Sequence, residues 1–443
     1  EMMTWALPVK SQGEYESLLK EMEAKGLRDR ARGFLRGGWW ENFMMKYPEA
    51  NLLHKKMLSV GERLRKARRK GRIPEKVWRR YYRAQANDAY WHGLFGGLYF
   101  HFLRRSAYSH LVSCEKEIDR RRMGRGSWVR VERDDMNADG KAETLLASPS
   151  LQALIAPHEG GALLELDWRV KPLNLTNVLT RRPEPYHLRL SQSPSEAPSV
   201  KQEDAGPKTI HHIHRVKDKG LEALLMYDLH QRWSFLDHIF SSDISLDTWI
   251  HSKYEEKGDF VCGSYAIVGP PRKDKQECSV TMRRDGTVRC RGGATPLTVE
   301  KTFFLKRAEP TCGVQYMLQG PGFAESLWFG VEFNLGLLIG YDRKRHLLFG
   351  DVQEGTSSGE REGVKGVSII DDTEGLSIAL DLAPPGRLWW FLIETVSNSE
   401  EGIERTPQGV ALLALWPLMP AGPAHPLRSF SLGLTVTPRK TYA

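Results

Sequence analysis

Through the first hundred residues apolar side chains recur three and four positions apart, the spacing of a buried helix face. The clearest case is residues 51–70, where Leu52, Leu53, Met57, Val60 and Leu64 form one stripe and Gly71 stops the run. The same reading predicts helices over 11–25, with Ser11 as N-cap, over 28–35, ended by Gly37-Gly38, over 75–85, with Pro74 in the first turn, and over 98–120. After Met123-Gly124-Arg125-Gly126 the texture changes. Short alternating or apolar runs at 151–156, 162–170, 263–268, 299–305, 327–335, 376–382 and 388–393 are separated by Gly, Pro, Asn and Asp. They read as strands of a large antiparallel sandwich. The predicted class is therefore α+β and multidomain: a helical bundle over 1–108, a linker helix over 109–125 and a β-sandwich over 126–443. Residues 191–208, rich in Ser, Pro, Glu and Lys, read as a solvated loop within the sandwich. No repeat of fixed period is present.

At 443 residues the chain can bury more than one core. Its formal charge of +9 owes much to the run from Arg63 to Arg72, which on a helix goes nearly all round and reads as a solvated helix end. That is no nucleic-acid module. Five cysteines, odd in number and without a CxxC pair, argue against a disulfide framework or a cysteine-zinc site and for a reducing, cytoplasmic setting. The most apolar run, residues 410–419, is interrupted by Pro417 and far shorter than the roughly 20 residues of a membrane span. Neither a membrane nor a nucleic acid is an expected partner; a homodimer is left open. The opening at Glu1 reads as that of an excised or truncated piece, with Met2 as the other start.

The densest chemistry lies in Ala86-Asn87-Asp88-Ala89-Tyr90-Trp91-His92-Gly93-Leu94-Phe95-Gly96-Gly97. An ionised Asp88 accepts from two hydroxyls, Asn87 donates and accepts, and a neutral His92 donates. Trp91 offers a flat apolar face. Hydroxyl-rimmed molecules with C–H faces, sugars above all, suit that set. The bland alternative makes Asp88 a helix cap and Trp91 and Phe95 core.

This segment resembles the last signature segment of the glycoside hydrolase family 57 α-amylases and 4-α-glucanotransferases. The resemblance extends along the chain in order. It covers Glu1-Met2-Met3-Thr4-Trp5-Ala6-Leu7-Pro8, Trp40-Glu41-Asn42-Phe43, Lys46-Tyr47-Pro48-Glu49-Ala50-Asn51 and His54-Lys55-Lys56-Met57-Leu58. Further on come Arg181-Arg182-Pro183-Glu184-Pro185-Tyr186-His187 and Ile393-Glu394-Thr395-Val396-Ser397-Asn398-Ser399-Glu400. The resemblance implies the central helical region and a C-terminal sandwich of galactose-mutarotase-like type, acting on α-1,4-glucans or maltooligosaccharides. It also implies that the paired catalytic carboxylates belong to an N-terminal barrel whose motifs do not occur here. Asn87, Asp88, Trp91 and His92 would then border the substrate cleft while this chain alone turns nothing over. The rival expectation is a free-standing glucan-binding or scaffolding protein. Other acid pairs, Glu400-Glu401, Asp371-Asp372 and Asp134-Asp135, sit in loop-like contexts that favour neither catalytic spacing nor a raised acid pKa.

Asp135, Asn137, Asp139 and Glu143 alternate oxygen side chains around Gly140, the pattern of a compact Ca²⁺ loop, with a hydrogen-bonded Asx turn as the bland alternative. His211-His212-Ile213-His214 places only His212 and His214 on one face of a strand, too few for a metal. Ser234, Asp237 and His238 admit a catalytic triad on paper, without a nucleophile elbow. Trp39-Trp40 and Trp389-Trp390 read as packing residues.

Overall fold

The computed structural model describes residues 2–31, 33–92, 96–190, 217–218, 220–418 and 428–439. Residues 191–208 and 211–214 lie outside the described residues. Besides the single-turn helices Met2–Trp5 and Arg28–Ala31, five longer helices among the described residues carry the N-terminal region: α1 (Val9–Ala24), α2 (Trp40–Lys46), α3 (Pro48–Arg69), α4 (Glu75–Arg83) and α5 (His101–Met123). Pro48 and Pro74 sit at helix starts, where a missing N–H costs nothing. Pro8 rather than Ser11 caps α1, so Ser11 lies inside the first turn. The predicted stripe of α3 is buried: Leu53, Val60 and Leu64 pack with Val77 and Tyr81 of α4 and Leu111, Cys114 and Ile118 of α5. A side chain at Gly61 would stand 2.0 Å from the Tyr81 hydroxyl, so α3 and α4 approach closely there because that position is bare. Helix α5 is one uninterrupted element of 23 residues whose second half belongs to this core. Residues 109–123 of the expected linker helix 109–125 therefore continue α5 without a break.

The β-region holds two antiparallel sheets. The first runs β1 (Arg130–Asp134), β2 (Glu143–Ala147), β3 (Leu151–Ala156), β4 (Ala162–Trp168) and β5 (Leu173–Asn174), paired in sequence order. β3 and β4 are buried along their whole length. The second contains β6 (Leu236–Ser241), β7 (Glu277–Cys290), β8 (Gly293–Lys306), β9 (Thr311–Gln319), β10 (Leu327–Leu335), β11 (Arg345–Phe349), β12 (Ser358–Asp371), β13 (Leu376–Ser399), β14 (Gly402–Leu418) and β15 (Arg428–Pro438). Hydrogen bonding runs β11-β12-β13-β15-β9-β8-β7, while β14 joins β13 to β10 and β10 pairs with β6. β8 alternates buried and half-exposed positions from Leu297 to Lys306, the period-two pattern of a sheet with one face inward. One core takes side chains from both sheets, among them Leu151, Trp168, Val280, Phe303, Phe333, Leu380 and Trp416. The two apolar runs 376–382 and 388–393 prove to be parts of the single strand β13, which changes partner along its length.

Helices and first sheet meet through a buried ionic cluster. Lys56 of α3 extends its ammonium to Glu165 and Asp167 of β4, at 2.7 and 2.8 Å, and to Glu115 of α5, at 3.2 Å. Arg63 and Arg169 complete it, binding Glu115 and Asp119. Amphipathic helices with polar stripes could face water. These charges instead find partners across the domain boundary, which fixes how bundle and sandwich dock.

Candidate functional site

The segment 87–92 begins as a single 3₁₀ turn, Asn87–Ala89, directly after α4. Asn87 is exposed, Asp88 and Trp91 are half-buried, and Ala89 and Tyr90 point into the helical core. The chain re-enters through Gly96 and Gly97, both with positive φ (81° and 56°), and the Leu98 N–H closes the loop onto the Trp91 carbonyl at 2.9 Å. A side chain at Gly97 would lie 2.1 Å from that carbonyl, so glycine is required by both torsion and space. The stretch thus carries an exposed amide, a half-buried carboxylate and a half-buried indole that packs against Tyr47, Tyr99 and their neighbours.

His92 differs from the expectation. It has no accessible surface. Its ring stacks on the Trp5 indole, centroids 4.1 Å apart and planes 22° from parallel, and its Nε2 lies 3.3 Å from the Tyr186 hydroxyl. In this structure His92 is a buried support stacked on Trp5. The open members of the predicted set are Asn87, Asp88 and Trp91.

A polar floor lies below. Glu184 accepts from the hydroxyls of Tyr47 (2.5 Å) and Tyr99 (2.6 Å) and pairs with Lys46 (3.2 Å). Burial pushes the Glu184 carboxyl up, but Lys46, His92 and the tyrosine donors outweigh it and hold the group below its ordinary range. Tyr186 donates to the Val396 carbonyl. His187 accepts the Glu184 N–H on Nδ1, leaving Nε2–H to donate to the same carbonyl at 2.9 Å. Three distant sequence motifs, around Lys46–Tyr47, 181–187 and 393–400, therefore converge under the 87–92 turn. Trp5, Glu184 and Tyr186 were not singled out as site residues from sequence. Their motifs pointed to them, but no local pattern says that they meet.

Two buried acids have acidities pushed apart. Glu165, raised to about 7 by burial ahead of its charged neighbours, and Glu115, held at about 2 by Lys56, Arg63 and Arg169 against burial, differ as an acid and a base should. Both are sealed around Lys56, and no sugar can reach between them. Asp371 is tied to Arg345 and to the Glu374 N–H, and Glu401 to Lys217. The paper triad dissolves as well. Ser234 donates to the Asn334 carbonyl, Asp237 pairs with Lys301 and Tyr265, and His238 with Glu256.

The loop 135–143 is largely closed on itself. The Asp135 carboxylate accepts the N–H groups of Asp139 and Gly140, Asn137 Oδ1 that of Asp139, Asp139 Oδ1 that of Lys141, and Glu143 Oε2 those of Met136 and Asn137. What converges instead is Asp139 Oδ2, Glu143 Oε1 and His158 Nε2, the imidazole 2.8 and 3.5 Å from the two oxygens. Calcium takes six to eight oxygen ligands, so two carboxylates with an imidazole, and with Asp135 and Asn137 turned to the backbone, are a poor fit for it. Burial, with Asp139 and Asp135 nearby, raises Glu143 to about 7. A carboxyl raised in this way favours the fold below its unfolded pKa and withdraws that stability as pH climbs through 7. Glu143→Gln keeps the acceptor and removes the charge. It is expected to stabilise by about 1–2 kcal/mol at pH 8, raising the melting temperature by roughly 2–4 °C, and to be neutral at pH 4. Thermal melts at both pH values check this. Stabilisation of the parent by millimolar Ca²⁺, lost in the variant, would restore calcium to the loop.

Of the tryptophan pairs, Trp389 and Trp390 are both buried, on opposite faces of β13. Trp40 packs on Phe43 and His54, whereas Trp39, expected to pack, is 69% exposed. All five cysteines are unpaired, and no described helix is long and apolar enough to cross a membrane.

Residues 135–422 match the family model of the α-amylase/4-α-glucanotransferase C-terminal domain, and residues 38–118 that of its middle domain. The chain is 35% identical to α-amylase 1 of Dictyoglomus thermophilum, over 95% of its own length and 58% of the relative's. It is 32% identical to the 4-α-glucanotransferase of Thermococcus kodakarensis, over 94% and 56%. The crystal structure of 4-α-glucanotransferase from Thermococcus litoralis superposes with a TM-score of 0.76 at 27% identity, covering 98% of this chain and 59% of that one. The chain thus spans little more than half the length of the curated relatives it matches.

Proposed function

The chain belongs to the α-amylase/4-α-glucanotransferase family, glycoside hydrolase family 57, and from that premise we propose that it is the glucan-positioning and stabilising part of an α-1,4-glucan-processing enzyme. The observation that carries the reading is the 87–91 turn. Asn87 is exposed on it and Asp88 and Trp91 are half-buried, and Trp91 packs against the cluster of Tyr47, Tyr99 and Tyr186 in which the tyrosine hydroxyls hold the buried Glu184, which supports an indole and two polar side chains presented to a sugar. The bond-cleaving carboxylates are assigned to a catalytic barrel outside this chain. The surface around Trp5 suits such a partner. Trp39 and Met45 are 69% and 80% exposed, Met3 is 40% exposed, and the Gly38 N–H and Lys46 ammonium tie these segments to the Met3 and Trp5 carbonyls.

Calorimetry with maltoheptaose tests the reading. Stacking by an indole contributes on the order of 1–2 kcal/mol, so Trp91→Ala is expected to weaken binding about tenfold, and Asp88→Asn to weaken it less. Equal affinity of parent and Trp91→Ala would remove Trp91 from the cleft. The chain alone is expected to leave maltoheptaose lengths unchanged, and new lengths would place the catalytic acids within it. Binding undiminished without any barrel would favour the free-standing glucan-binding alternative.

A further inference from the structure

Away from that site, three side chains on the sandwich point ligand atoms at one spot. His238 lies on β6 and Glu332 on the adjacent β10, where the register sets Gly330 opposite His238 and Leu236 opposite Glu332. His238 and Glu332 are thus diagonal neighbours on one face of the pair. His230, in the turn before β6, folds over them. Glu332 Oε2 is 3.4 Å from His230 Nε2 and 3.4 Å from His238 Nε2. All three atoms are buried, and none has a hydrogen bond of good geometry.

We propose that His230, His238 and Glu332 form a zinc-type divalent metal site. The spacing carries the argument. A separation of 3.4 Å is long for an N–H···O bond, whose usual range ends near about 3.2 Å. Two ligands each about 2.0–2.1 Å from one ion at a tetrahedral angle stand about 3.3–3.4 Å apart. The surroundings prepare the ligands. Glu256 holds His238 Nδ1 at 2.8 Å and is itself fixed by the N–H groups of Ile239 and Gly258, which aims Nε2 at the spot as a carboxylate does behind a metal-bound histidine. Arg232 and Asn334 both donate to Glu332 Oε1, leaving Oε2 for the ion. Asp228 is shared by Arg232 and Arg181, at 2.6 Å each, so with Glu332 and Glu256 three carboxylates face two guanidiniums and the surroundings do not exclude a cation. Two imidazoles and one carboxylate favour zinc or a similar transition ion over calcium or magnesium. His230 and Glu256 also line a cavity of about 410 Å³ with Tyr254 and Cys262, which opens on the His230 side of the cluster.

The experiment titrates the chelator-stripped chain with Zn²⁺ at pH 7.5 by calorimetry and with Co²⁺ by visible absorption. One ion per chain is expected, with the intense ligand-field bands of a four- or five-coordinate cobalt. His230→Ala, altered only in a turn, is expected to weaken Zn²⁺ binding on the order of 100-fold or more and to bleach the cobalt bands. His158→Ala, which removes the imidazole near Asp139 and Glu143, is expected to change neither. Absence of stoichiometric binding, or binding lost in His158→Ala and kept in His230→Ala, would overturn the proposal and leave the cluster as an ion-pair network.

Discussion

Lys56→Met is expected to remove about 3–5 kcal/mol of folding stability at pH 8, the cost of leaving buried carboxylates without their cation. Lys56 is almost without exposure, and its ammonium is the common partner of Glu115, Glu165 and Asp167. Methionine fills the same channel, so packing is kept and charge alone is tested. The pH dependence separates this from a cavity effect. Glu165, raised from 4.5 to about 7 chiefly by burial, favours the fold below pH 4.5 and withdraws that support as pH passes 7. Glu115, held down to about 2, supports the fold above pH 4.5 and would lose that support only as pH falls toward 2. Without Lys56 both carboxyls shift upward, so the deficit should be largest at pH 8 and shrink toward pH 5. Urea unfolding followed by circular dichroism at the two pH values measures it, and Lys56→Met/Glu165→Gln is expected to recover part of the loss. A deficit equal at both pH values would assign Lys56 to packing alone.

Lys56 also marks the limit of what the sequence discloses. Local periodicity located α3 through Leu53, Val60 and Leu64, because a helix face is written every three to four positions, and β3 and β10 agree with the predicted runs residue for residue, because a strand buried on both faces is written as a near-continuous apolar run. Periodicity says nothing of partners more than a hundred residues away. Lys56 reads as one more exposed charge on an amphipathic helix until Glu165 and Asp167 are brought to it. The split of β13 into two predicted strands has a local origin, since Ala383-Pro384-Pro385-Gly386 separates its apolar ends, and there the pairing with β15 ends, that with β14 begins and the register with β12 shifts. Of the candidate site, the motif around Asn87 to Trp91 was legible as chemistry. The burial of His92 was not, because its cover, Trp5, comes from the far end of the helical region. The loop at Asp135 reads two ways from sequence, as a cation loop and as an Asx turn. Oxygen side chains at alternate positions serve an Asx turn as readily as a cation, and only the direction of each oxygen tells them apart.

Glu184→Ala is expected to cost about 2–4 kcal/mol, since it strands two buried phenol donors and a half-buried ammonium at once. Tyr47 and Tyr99 both donate to the same oxygen, Oε1, while Lys46 pairs with Oε2. That division makes Glu184→Gln informative. The amide oxygen can keep both tyrosine bonds, and only the contact to Lys46, whose side chain is 12% exposed and can turn to solvent, becomes unfavourable. The Gln variant is therefore expected to lose about 1 kcal/mol, well short of the Ala variant. Because the parent carboxyl is held below its ordinary range, its contribution is present above pH 4.5 and lost as pH falls through the folded value. The gap between parent and Gln should accordingly close on acidification, while the gap between Gln and Ala should stay constant. Equal losses in the two variants would mean that the charge on Glu184, through Lys46, holds the floor beneath Trp91. Unequal losses in the stated order would mean that it is held by the paired tyrosine hydroxyls, which join α2 and the start of α5 to the 181–187 segment at the point where the 87–91 turn rests.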